Sequence, residues 1–281
     1  MNGYARLSDV KGRVTGAPAT TALDEHYVNQ IEMVSREFDS EAGRHFYAQQ
    51  ATRYLTGSCA NVDLWLPWDV ASITTLSLDL DGDGTYERTL VENTDFYAMR
   101  EGDDSDRPIV RLELNRNGTQ IRVWPTHRRA LRLTGLFGYC YTLEDSTLDT
   151  NEAVDDSETE IDVTGTATEL VYVGDTAVID SEQMEVTAVA PSKLTVVRAI
   201  NGTAAASHLT STNIYIRRFP AEVEDRVAER VAGLRWDAQG GYSAGITLMG
   251  DSQGAASSTQ GRGSFARWRN STGKFKRWAV A

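Results

Sequence analysis

Hydrophobic positions along the chain repeat at two different periods, and the switches between them mark its organisation. The first fifty residues carry the helical period. Ser8, a residue type that caps helices, predicts a short helix carrying Leu7, Val10 and Val14 and stopped by Gly16 and Pro18. Thr21-Ala22-Leu23-Asp24 then has the form of a capping box. After it Leu23, Tyr27, Ile31, Val34 and Phe38 make one apolar stripe on a helix that ends near Gly43. Glu25, Glu32, Arg36, Glu37 and Asp39 occupy the rest of that surface.

From about Thr52 the period becomes two. Leu76, Leu78 and Leu80 alternate with polar residues, as do Val110, Leu112 and Leu114, then Ile121 and Val123, then Leu131 and Leu133. Asn117-Gly118 predicts a hairpin turn between the second and third runs, because both residues tolerate positive φ. Beyond a linker at Val154–Asp156, short strands are expected at Glu160–Val163, Leu170–Val173, Ala177–Ile179, Met184–Val189, Leu194–Val197 and Ile214–Ile216. The turns between them are close enough for a small barrel or sandwich. Helical period returns after Pro220, with Val223, Val227, Val231 and Leu234 as the stripe and Gly240-Gly241 as the stop. The expected fold class is therefore α+β: a small helical scaffold of N-terminal and closing helices, an antiparallel β segment, and an inserted small β-barrel or sandwich module. The expected parts are residues 1–50 (helical), 51–145 (antiparallel β), 146–218 (inserted acidic module), 219–249 (closing helix) and 250–281 (linker and tail).

Charge sharpens this division. The 281 residues hold 28 basic and 40 acidic side chains, a net charge of −12, which argues against a generic DNA-coating surface. Between Leu143 and Glu185 stand 14 carboxylates and no Lys or Arg; from Ser252 to Ala281 stand six basic residues and no acid. That last stretch is Gly/Ser-rich and then interleaves Phe265, Trp268, Phe275 and Trp278 with Arg267, Arg269, Lys274, Lys276 and Arg277. Trp and Arg dominate interface hot spots, so these nine residues are the candidate partner-docking tail; stacking on single-stranded nucleic acid is the other use of such a pattern.

Catalytic chemistry is thinly represented. Cys59 and Cys140 form no CxxC pair and read as reduced thiols of a cytosolic product. His26, His45, His127 and His208 are scattered, without a partner at metal-ligand spacing. No nucleophile elbow, zinc-protease, phosphate-loop or dinucleotide motif occurs. No catalytic residue, no cofactor and no enzymatic activity are expected. Asp79, Asp81 and Asp83 match the first half of a calcium loop, but Leu90 stands where the closing Glu belongs, so Glu87 or Glu92 would have to substitute. The simpler reading is a hairpin turn. Asp103-Asp104-Ser105-Asp106 reads as a solvated loop. His127-Arg128-Arg129 with Arg132 is a basic patch suited to phosphate or to acids on a neighbouring subunit. No apolar run approaches the ~18 residues of a membrane span, and the first residues lack the features of a secretory signal.

Several segments resemble tailed-phage head–tail connector (adaptor) proteins. They are Tyr4-Ala5-Arg6-Leu7-Ser8-Asp9-Val10-Lys11, Ala42-Gly43-Arg44-His45-Phe46-Tyr47, Leu66-Pro67 with Val70–Leu80, the Asp79–Glu87 turn, Gly135-Leu136-Phe137-Gly138-Tyr139 and the Pro220 helix. Val173-Gly174-Asp175, Ile179-Asp180-Ser181-Glu182-Gln183-Met184 and Arg198-Ala199-Ile200-Asn201-Gly202-Thr203 resemble a small β module of phage structural proteins. The resemblance implies a homo-oligomeric ring, a dodecamer, at the head–tail junction (neck) of the virion. It would bind the portal above and a downstream stopper or tail protein below. DNA would pass through its lumen during packaging and ejection without sequence-specific contact or any membrane. Synthesis would take place in the bacterial host cytoplasm. The alternatives are a module that binds carbohydrate or a host surface, and a nucleic-acid-binding protein acting through the basic tail.

Overall fold

A computed structural model describes residues 2–14, 21–57, 62–103, 105, 107–118, 121–139, 142–247 and 275, with the backbone alone over 235–247. Among them are three α-helices and twelve strands arranged in two antiparallel sheets, a mixed α+β chain. By contact the chain falls into two compact units. One holds residues 1–43, 143–200 and 204–277; the other holds 44–142, 201–203 and 278–281.

The first unit combines the helices with one sheet. Helix α1 (Leu7–Arg13) begins one residue before Ser8, so Ser8 lies inside the helix; Arg6 is its N-cap and makes no side-chain cap bond. Thr21–Leu23 forms a 3-10 turn rather than a capping box, and α2 follows at Asp24–Ala42. Tyr27, Ile31, Val34 and Phe38 are all buried along one face of α2, as their spacing requires. Gly43 closes the helix at φ +68°, a left-handed cap that glycine adopts without a Cβ penalty. Helix α3 (Ala221–Thr247) buries Val223, Val227, Ala228 and Val231 and packs on α1 and α2. It does not stop at Gly240-Gly241. A mid-helix glycine costs only about 1 kcal/mol relative to alanine, and on its own does not terminate a helix.

The sheet of this unit runs in the order β7 (Thr142–Asp149), β12 (Asn213–Arg218), β9 (Thr176–Ile179), β10 (Glu182–Ala190), β11 (Lys193–Val197), β8 (Glu160–Asp162). Ile161, Ala177, Ile179, Met184, Val186, Leu194, Val196, Ile214 and Ile216 form its core. One expected strand is absent here. Leu170–Val173 is no strand: a 3-10 turn at Ala167–Glu169 precedes it, and the Gly174 N–H bonds back to the Val186 carbonyl. Nor is there a closed barrel. No ladder joins the edge strands β7 and β8: an isolated Thr150–Val163 bridge links their ends, with the Asn151 and Thr164 N–H groups donating to the Asp162 and Asp149 carbonyls.

The second unit is a sheet in the order β1 (Gln49–Leu55), β6 (Leu131–Phe137), β2 (Asp63–Leu78), β5 (Ile109–Leu114), β4 (Phe96–Arg100), with β3 (Arg88–Leu90) also on β2. The sixteen-residue β2 pairs with β5 through its first half and β6 through its second, and the β5 ladder is interrupted between Trp65 and Val70. Pro67, which has no N–H to give a ladder, falls in that interruption. Leu66, Leu76, Leu78, Leu112, Leu131, Leu133 and Phe137 are fully buried. Leu80 is not, because the chain turns outward at Asp79. The hairpin expected at Asn117-Gly118 is absent: Ile121 and Val123 belong to no strand. The side chain that anchors this stretch is instead Trp124, buried with its Nε1–H donating to the Val62 carbonyl at 2.7 Å.

Candidate functional site

The tail proposed to dock on a partner is almost wholly outside the described residues. Phe265, Arg267, Trp268, Arg269, Lys274, Lys276, Arg277 and Trp278 all fall there, as do Cys59 and Cys140. Phe275 alone is placed. It is buried, with its ring 6.1 Å from that of Phe38 on α2.

Asp79, Asp81, Asp83 and Glu87 do come together, each offering an oxygen within 4.8 Å of the others. Glu87, rather than Glu92, is the fourth acid. The local geometry is that of a turn held by its own backbone. Asp79 accepts the Gly82 N–H at 2.7 Å through one oxygen and the Gly84 N–H at 2.9 Å through the other; Asp83 accepts the Thr85 N–H and Glu87 the Leu80 N–H. Gly82 and Gly84 sit at φ +85° and +90°, which leaves their amides pointing inward at Asp79. Burial would raise the Asp79 pKa, but those amides and His127, 3.5 Å away, hold it below the ordinary carboxylate range. These four acids could receive a divalent cation, but at the cost of hydrogen bonds already made.

A tighter assembly lies in the first unit, at residues not singled out as a site from their pattern. Glu182 opens β10 after a two-residue turn and is 1 % exposed. Its Oε1 and Oε2 each accept from Arg198, at 2.7 Å from Nε and 2.7 Å from Nη2. The Ala199 and Ala206 N–H groups donate to the same carboxylate. Arg198 gives its remaining donors to the carbonyls of Asp155, Glu158 and Ala206, so every guanidinium N–H is engaged. His208 spans two acids: Nδ1 lies 2.8 Å from Asp180 and Nε2 3.0 Å from Glu182. His208, read from the sequence only as lacking a partner at metal-ligand spacing, thus has two carboxylate partners 28 and 26 residues away. Burial alone would raise Glu182; Arg198, the Ala206 amide and His208 outweigh it and hold the carboxyl at about 2. A signal for this was present: between Leu143 and Ile216, a strongly acidic stretch, Lys193 and Arg198 are the only Lys or Arg residues.

The second unit has its own buried cation. Arg44, with a side chain 2 % exposed, makes a two-pronged contact with Glu101 (3.0 and 3.2 Å), approaches Asp69 at 3.3 Å and lies 5.0 Å over the Tyr139 ring. Tyr139 in turn donates its N–H to the His45 carbonyl and packs its ring 4.9 Å from Phe46. Gly138 lets these strands touch, for a Cβ there would stand 2.1 Å from the Tyr47 carbonyl oxygen. Gly202, within the same unit, is tied to Gln50 in the same way, at 2.3 Å.

The basic patch is organised by aromatic rings. The Arg129 guanidinium lies 3.8 Å from the Tyr54 ring centre and that of Arg132 lies 4.4 Å from Tyr86, whose hydroxyl donates to the Arg129 carbonyl. The two tyrosines are 6.1 Å apart. No carboxylate forms an ion pair with Arg128, Arg129 or Arg132 among the described residues.

What these sites define is an α+β protein whose best-made polar constellations tie strands together. Comparison with protein-family models, with curated proteins and with solved structures returns no match for the chain.

Proposed function

We propose that the chain is a structural head–tail adaptor of a tailed phage, one subunit of a ring that joins the capsid vertex to the tail and lets DNA through. On this reading the helices are its small scaffold, the sheet from β7 to β12 is an inserted phage-type module, and residues 264–281 carry the portal-docking arm. The observation that carries the reading is where the resembling segments meet. Gly43–Tyr47 and Gly135–Tyr139 lie against each other around Arg44 and Tyr139. Ile179–Met184 and Arg198–Thr203 supply buried Glu182, Arg198 and, at the exposed rim, Asp180 to one network. In both places these residues are engaged in close ion-pair and hydrogen-bond contacts, a construction that suits a part transmitting load between head and tail.

The test is attachment to purified portal protein. Removing residues 264–281 should abolish it while leaving a folded chain. Since that deletion also removes Phe275 from beside Phe38, a second variant, Trp268→Ala with Arg269→Ala and Trp278→Ala, keeps the buried ring. Undiminished attachment of both variants would refute the docking role.

A further inference from the structure

We infer that the arginine ladder Arg128, Arg129 and Arg132 is a docking surface for the acidic turn Glu152–Glu158 of a second copy of this chain. The inference rests on the adaptor reading and deepens it, naming two surfaces through which subunits would join.

Three observations converge on the ladder. First, Arg128, Arg129 and Arg132 have no ion-pair partner among the described residues, in a chain that carries 40 acids against 28 bases. Arg128 and Arg129 are exposed. Second, the guanidiniums are held ready. Contact with the Tyr54 and Tyr86 rings restrains the guanidiniums of Arg129 and Arg132, so that binding an anion costs them less side-chain freedom than it costs a free arginine. Third, the backbone is set for this purpose. Arg129 sits at φ +61°, a left-handed conformation unusual for a residue other than glycine, held by the Tyr86 hydroxyl on its carbonyl and the Thr56 hydroxyl on its N–H.

The acidic turn offers the complementary surface. Glu152, Asp155 and Asp156 are exposed, and neither Glu152 nor Asp156 has a basic group within ion-pair distance among the described residues. Asp155 is fixed by accepting the N–H groups of Ser157 and Glu158, which keeps the turn rigid. Arg198 holds the same turn from within through the Asp155 and Glu158 carbonyls. Nucleic acid is the weaker occupant of the ladder. A strand bearing a phosphate at every nucleotide would run on past the arginines toward Asp79, Asp81, Asp83 and Glu87, gathered beside His127; a compact turn engages the guanidiniums alone. Two different surfaces on one chain make a heterologous contact, which propagates from copy to copy and closes into a ring where the rotation allows.

The experiment is mass measurement of the purified full-length chain over a concentration series, at low salt and at roughly 0.5 M salt, where surface charge is screened. Wild type should self-associate at low salt and dissociate at high salt. Arg128→Glu with Arg129→Glu should weaken association about tenfold or more, and so should Glu152→Arg with Asp156→Arg. All four substitutions together, which exchange the two charges, should restore it. Circular dichroism and thermal melting of each variant confirm that it is folded. A wild type that stays monomeric, variants that associate undiminished, or an exchange that restores nothing would overturn the inference. So would arginine variants that lose only affinity for duplex DNA. Portal is absent from this assay, so failure of the adaptor reading shows separately, as a chain that self-assembles yet ignores portal.

Discussion

Two acid clusters in this molecule, each with a histidine beside it, have opposite constructions. Around Glu182 the partners are side chains from distant parts of the chain: Arg198 grips the carboxylate at both oxygens and His208 links it to Asp180. Around Asp79 the partners are the loop's own amides, Gly82 and Gly84, within five residues. Both carboxylates are buried, Glu182 at 1 % and Asp79 at 3 % exposure, and the difference lies in how each is satisfied. Glu182 takes its counter-charge from Arg198, sixteen residues away, whereas two amides of the same loop serve Asp79. A loop whose other acids stand in solvent needs only a turn. The first cluster is therefore a keystone of its sheet, and the second a hairpin device that tolerates change.

Breaking the keystone should have the largest effect. Arg198→Met leaves Glu182 buried without its counter-charge and should cost about 3–5 kcal/mol in urea unfolding. Glu182→Gln combined with Arg198→Met should recover part of that loss. A cost below about 1 kcal/mol would show that the network is not structural. The same contrast extends to pH. The folded Glu182 carboxyl, at about 2, lies below its ordinary 4.5, so the stability it lends is present above pH 4.5 and is lost as the pH falls toward 2. At 1.36 kcal/mol per unit the loss amounts to about 3 kcal/mol, and Glu182→Gln should flatten that limb of the stability curve.

Asp175 sharpens the comparison from the other side. Burial pushes its carboxyl up to about 6, against the partial relief given by Arg6, the Tyr172 N–H and Arg218. The fold thus favours the neutral acid. Its contribution is present below the ordinary 3.8 and is lost as the pH rises through 6. Asp175→Asn, which can still accept the Tyr172 N–H, should stabilise the chain by about 1–3 kcal/mol at pH 8 and have little effect at pH 4. Equal effects at the two pH values would contradict this. The smallest change is expected in the loop: Asp81→Asn and Asp83→Asn should each stay within about 0.5 kcal/mol. If added calcium raises the melting temperature of wild type and not of these variants, the loop is a cation site and the turn reading fails.

The same contrast explains what could be read from the sequence. The face of α2 was legible because Tyr27, Ile31, Val34 and Phe38 obey one local period, and Gly43 marks its end without reference to anything distant. The strand carrying Leu131 and Leu133 was legible from its alternation, and Ala177–Ile179 from a short apolar run beside turn residues. The Asp79 turn was visible because its ligands and donors are neighbours. Period alone could not separate Ile121 and Val123 from strand residues, since what decides that segment is the burial of Trp124 against Val62. Nor did spacing bring His208 to Glu182, 26 residues away; that contact depends on how β9 and β10 place their turn. Long-range electrostatics was the least legible layer, though a lone Arg198 among acids hinted at it.

The proposed adaptor role is tested most directly on the portal itself. The direct measurement is the mass of purified portal assemblies with and without saturating full-length chain, followed by negative-stain imaging. The account predicts a discrete mass increase equal to several copies of the chain, seen as a ring stacked on one end of the portal. An unchanged portal mass at saturating chain would contradict it.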